Sequence, residues 1–152
     1  MAETGYEGQQ IESALEEKGE IMVCTSGVSM YPMLRHRKDM VVLIKPNREL
    51  KKYDVPLYRA TTGKLILHRI LKVMPDYYII RGDNLFHKEI VKREQIIGLL
   101  KAFYREGKYC DCEKSRKYRV YVFLNRISYP LRRFWRFKLR PVLSKLKHMI
   151  FK

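Results

Sequence analysis

Cysteine is scarce in this chain. There are 3 in 152 residues, Cys24, Cys110 and Cys112. An odd number builds no closed disulfide framework and fits a reducing compartment. Cys110-Asp111-Cys112 carries ligand chemistry, but no second ligand pair accompanies it, so neither a metal nor a cofactor is expected. Long apolar runs are missing too. No stretch approaches the ~20 apolar residues a spanning helix requires, and the acidic first residues lack the apolar centre of a secretory signal. The expected location is therefore cytoplasmic, peripheral at the membrane, with no transmembrane helix or secretory signal. Acids are absent from one end: residues 114–152 hold thirteen Lys or Arg and no Asp or Glu.

What is present fits a folded domain. A hydrophobic content of 46% with 12% aromatics excludes general disorder and supports one core with an appendage. The net charge of +16 calls for a polyanion or an anionic membrane nearby. Residues 1–20 oppose the basic end with six Glu and one Lys. Three segments follow: an acidic helical segment (1–20), a central domain (21–106) and a basic amphipathic extension (107–152).

Ile11, Ala14 and Leu15 predict a helix over 8–19 that packs on the domain's flank. Apolar runs predict strands over 21–24, 40–44, 55–58, 65–73 and 77–80, with tight turns between them. Pro56 implies an edge or a bulge. Residues 93–105 read as a last strand or a helix. Beyond Gly107, Leu124, Ile127, Leu131, Phe134, Trp135, Leu139, Val142, Leu143 and Leu146 advance in steps that give one apolar face among many Arg and Lys. Pro130 and Pro141 are expected to break this segment into shorter helices. The pattern over 120–152 fits a helix lying in an anionic membrane surface. Nucleic acid is a less favoured partner, since no known motif accompanies the charge. Packing of the apolar face on the domain is the third reading.

Three motifs carry chemistry, in this order: Ser26-Gly27-Val28-Ser29-Met30-Tyr31-Pro32, Leu67-His68-Arg69-Ile70 and Arg81-Gly82-Asp83-Asn84. A serine hydroxyl becomes a useful nucleophile when a base takes its proton and a third group orients that base. Ser29, His68 and Asp83 supply those three roles, with Glu89 as a rival to Asp83. Asp83 also suits a turn, where its carboxylate caps backbone N–H groups. His36 and His87 sit in basic surroundings and read as surface residues. Lys64 falls in a turn, which disfavours it as the base.

These residues resemble the signal peptidase and LexA-type clan of serine peptidases. There a Ser stands directly before Met, with Pro two residues further on, as in Ser29, Met30 and Pro32. His68-Arg69 and Gly82-Asp83-Asn84 are similar to the histidine branch found in endoplasmic-reticulum and archaeal signal peptidases. The resemblance covers roughly residues 20–100. It implies a mainly β, LexA/signal-peptidase-like antiparallel domain with a short N-terminal helix and a basic amphipathic helical C-terminus. It also implies a serine endopeptidase acting on a leader or signal-like segment of a peptide or protein precursor, with catalytic Ser29, His68 and Asp83. The sequence departs from the family's Ser-Gly-Ser-Met pattern: an extra residue intervenes in Ser26-Gly27-Val28-Ser29-Met30, so Ser26 is displaced from the place of the serine that usually supports the oxyanion, and Val28 has no donor. An oxyanion hole would then rest mainly on backbone N–H groups, the Ser29 N–H first. A catalytically silent binding module and a LexA-like self-cleaving regulator are the alternatives.

Overall fold

A run such as Met40-Val41-Val42-Leu43-Ile44, apolar on both faces, has to be covered on both sides. In the computed structural model, which describes residues 8–139, that run lies inside a sheet with Val41 and Leu43 fully buried. In chain order the described residues form strands β1 (Glu20–Cys24), β2 (Met40–Ile44), β3 (Pro56–Arg59), β4 (Leu65–Leu67), β5 (Arg69–Val73), β6 (Tyr77–Arg81), β7 (Glu89–Lys92), β8 (Ile96–Arg105) and β9 (Lys108–Asp111). Helix α1 (Gly8–Lys18) precedes them and α2 (Arg116–Phe134) follows. The protein is mainly β, with a helix at each end of the described chain.

All pairings are antiparallel. One sheet has the order β1-β2-β8-β3-β4, with β9 on the end of β8, and the other has the order β5-β6-β7. Residues 65–73, expected as a single strand, are divided between the two sheets. Leu65–Leu67 pair with β3, whereas Arg69–Val73 pair with β6. His68 is the residue at the junction. Residues 93–105 are a short 3-10 turn (Arg93–Gln95) followed by the long strand β8. Pro56 opens β3, and a register shift follows it between Leu57 and Tyr58. A proline at the first position of a strand and a nearby bulge are where its missing N–H does least harm.

Two apolar clusters result. The larger joins Ile11 and Leu15 of α1 to Val23, Leu43, Leu57 and Leu100. The α1 helix thus packs on the flank as its apolar spacing predicts, and Gly19 ends it at φ +72° with its N–H on Leu15 O. The smaller cluster, around Tyr58, Ile70, Ile80 and Leu99, fills the space between the sheets.

Helix α2 departs from expectation twice. It runs through Pro130 without breaking. Pro130 is exposed, so its ring meets solvent, and contacts made by Tyr129 and Arg132 hold the helix on both sides of it. A single π-helical turn, Trp135–Leu139, follows. Second, α2 turns Tyr118 and Asn125 inward and leaves Leu124, Ile127, Leu131 and Phe134 exposed, so the apolar face does not pack on the domain. Pro141, Val142, Leu143 and Leu146 lie outside the described residues.

Candidate active site

Ser29 sits in the loop between β1 and β2. Buried Met30, Met33 and Leu34 anchor that loop from below, and the Leu34 N–H closes a turn on Met30 O at 3.0 Å. At its base Thr25 Oγ1 donates to Asp39 O at 3.1 Å. Asp39 is fully buried and accepts from the Arg35 N–H and guanidinium. Burial pushes the Asp39 carboxyl up, but the Arg35 bonds outweigh this and hold it below the usual carboxylate range. His36, although exposed, accepts the Gly27 N–H at 2.8 Å.

The turn after β6 clamps the other side of this loop. The Asn84 N–H donates to Ser29 O at 2.8 Å, and Asn84 Nδ2 donates to Val28 O at 3.2 Å. With both carbonyls engaged the local backbone is fixed, and the Ser29 N–H takes no acceptor among the described residues. Gly82 lets the parts come this close. A Cβ there would lie 2.7 Å from Ser29 O and 3.0 Å from His68 Nε2, too near for any side chain.

His68 is buried, and its two ring nitrogens have different surroundings. Nδ1 lies 3.0 Å from the Tyr58 hydroxyl and 3.2 Å from Glu89 Oε1. Tyr58 donates its own proton to Glu89 Oε2 at 2.6 Å, so its oxygen is free to accept. Burial, reinforced by Glu89, holds the Tyr58 phenol well above its ordinary range and keeps that donor protonated. The arrangement selects the Nδ1–H tautomer, with Tyr58 Oη and Glu89 as acceptors. Nε2 is then the unprotonated nitrogen, and it faces the Ser29 loop across Gly82. Burial lowers the His68 pKa below its ordinary value; Glu89 opposes this and His87 adds to it. The imidazole is neutral at neutral pH.

Asp83, expected to orient His68, makes its contacts elsewhere. Its carboxylate takes a two-pronged bond from Arg69, Nε to Oδ1 at 2.8 Å and Nη2 to Oδ2 at 2.7 Å. The Tyr121 hydroxyl adds a third bond at 3.0 Å. The reason is the strand geometry: successive residues point to opposite sides, so His68 faces the cleft and Arg69 faces away, toward Asp83. Arg69 is buried and also donates to Tyr53 O and the Tyr118 hydroxyl. Burial opposes its charge, the Asp83 carboxylate more than offsets that, and the guanidinium stays charged. Glu89 is the carboxylate in contact with His68.

Ser29 and His68 line one cavity of about 350 Å³. They do so without a hydrogen bond between them. The cavity wall is mostly apolar, from Ile11, Val23, Leu43, Leu57 and Leu65, and Lys64 stands in its lining. Residues of β1 and β4, which end the main strand order of the larger sheet, flank it. Tyr58 was missed in the sequence; the only local signal is an aromatic hydroxyl within a buried apolar strand, which needs a partner. Among the described residues no group of three His, Cys, Asp or Glu is placed to hold a metal ion. Burial raises the Cys112 thiol to about 12, leaving it a poor nucleophile. Comparison with known proteins gave no match to any family model, curated protein or solved structure.

Proposed function

We propose that the protein is a serine endopeptidase of the signal-peptidase and LexA type, with Ser29 as nucleophile, His68 as base and Glu89 as the residue that positions His68. The observation that carries this reading is the polarity of His68. Its Nδ1 is held by Glu89 and Tyr58, and its Nε2 faces the serine loop. In the reaction, Ser29 Oγ attacks a peptide carbonyl while His68 Nε2 takes the hydroxyl proton. The imidazolium formed is stabilised by Glu89 through the shared Nδ1 proton. The Ser29 N–H is the oxyanion donor, a contribution of about 3 kcal/mol. The imidazolium then protonates the leaving amine as the C–N bond breaks. Water, deprotonated by the same Nε2, releases the acyl group and restores Ser29.

The substrate lies extended along a sheet edge, where unpaired backbone groups of β1 or β4 bind it as an added strand. The apolar cavity takes its side chains. A leader-bearing cytoplasmic precursor fits this reading. Incubation with a library of leader-like peptides tests it, with Ser29→Ala and His68→Ala run in parallel. Cleavage lost in both variants supports the assignment. Cleavage that survives Ser29→Ala rejects Ser29 as the nucleophile.

A further inference from the structure

Helix α2 is built with its polarity inverted, and its outer face shows what it binds. Amphipathic helices on a domain bury their apolar stripe. Here the inner face is polar: Tyr118 on Arg69, Tyr121 on Asp83, the Tyr129 ring 3.5 Å from the Arg81 guanidinium, and Arg132 on Asp83 O and Asn125. Buried Arg69, Arg81 and Asp83 demand those partners, so the apolar residues are left outside. Val120, Leu124, Ile127, Leu131 and Phe134 follow 4-, 3-, 4- and 3-residue steps and form one narrow stripe, with Leu131 69% exposed. Trp135, Phe137 and Leu139 continue the exposed apolar surface through the following turn.

Charge decides the occupant. Arg119, Arg126 and Arg133 recur every seven residues, so they share one flank of the stripe, and all three are exposed. Residues 116–139 contain no Asp or Glu. A second copy packed stripe to stripe would set Arg against Arg with no acid on the helix to pair them. Nucleic acid would meet the cations but leave the central apolar stripe facing water. An anionic bilayer takes both: acyl chains under the stripe and lipid phosphates on the flanking guanidiniums.

We propose that the outer face of α2 docks in the plane of an anionic lipid bilayer. The proposal is independent of the peptidase reading. Because the inner face of the same helix holds Arg69 and Asp83, docking fixes the height of the Ser29 cleft above the membrane.

The full chain reports on this directly, since its single tryptophan, Trp135, lies on the exposed surface. The probe is vesicles of phosphatidylcholine with or without phosphatidylglycerol, read by Trp emission and by co-sedimentation at low and high salt. The expected result is a blue shift and sedimentation with phosphatidylglycerol vesicles only, weakened by salt. The paired change Ile127→Ser and Leu131→Ser, on exposed positions, should cut partitioning roughly ten-fold or more, with the circular dichroism unchanged. Equal binding to pure phosphatidylcholine overturns the proposal. So does absence of vesicle binding at low salt, and so does a concentration-dependent dimer that Leu131→Ser dissolves.

Discussion

Glu89 Oε1 stands 3.2 Å from His68 Nδ1, and this pair, rather than His68 with Asp83, sets the direction of the imidazole. Glu89 reaches His68 from β7, across the three-stranded sheet, and Tyr58 reaches it from the other sheet. The His68 ring is therefore held by both halves of the fold.

Replacing Glu89 by Gln removes the charge that stabilises the imidazolium. The turnover rate should fall roughly 10²- to 10⁴-fold. Glu89 also raises the His68 pKa against burial, so the variant's His68 should titrate at lower pH than the wild type. A histidine NMR titration reads that shift without any substrate. An unchanged titration would remove Glu89 from its positioning role.

Burial lowers the His68 pKa, and the base must be neutral to act. Activity should therefore persist to a pH below the ordinary imidazole value of about 6.5. The acid limb of the kcat/KM profile should lie below that value as well. An acid limb above it would show that burial does not control the base.

Asp83→Ala should act first on stability. It leaves the Arg69 guanidinium buried and unpaired, a loss of roughly 3–5 kcal/mol, visible as a lower midpoint in urea unfolding. Tyr121→Phe removes only one neutral donor from the carboxylate and should cost about 1 kcal/mol or somewhat more. Equal stability of Asp83→Ala and wild type would contradict the buried-pair account.

Gly82→Ala places a methyl 2.7 Å from Ser29 O and 3.0 Å from His68 Nε2. Either the serine loop or the imidazole has to move. Activity should fall by roughly 10²-fold, the scale of a displacement of about 1 Å. Far-ultraviolet circular dichroism should remain that of the wild type. Full activity would mean that the clamp on the serine loop is looser than the contacts indicate.

The Ser29 loop and His68 were legible in the sequence because each is a short motif flanked by apolar runs. The strands around them were legible for the same reason. The partner of His68 was not. Asp83 and Glu89 are both close to the motif in sequence, and the choice depends on pairing between strands. Ile80 stands opposite Glu89 on one side and Ile70 on the other, a register no local pattern shows. The division of residues 65–73 at His68 belongs to the same class, because two sheets compete for one apolar run. For α2, the apolar spacing was plain but its direction was not. The buried charges of Arg69 and Arg81 come from another part of the chain and draw the tyrosine face inward. Pro130 stays within the helix, where contacts of its neighbours Tyr129 and Arg132 tie the helix down on both sides.

In the proposed reaction Ser29 acts as a nucleophile toward a carbonyl. The most direct measurement is the intact mass of the protein, quenched in acid after mixing with activated esters of short apolar peptides. An acyl adduct should appear on Ser29, mapped by proteolysis and mass spectrometry. It should be absent in Ser29→Ala and form far more slowly in His68→Ala. An adduct on another residue, or an adduct that forms equally well in Ser29→Ala, would contradict the account.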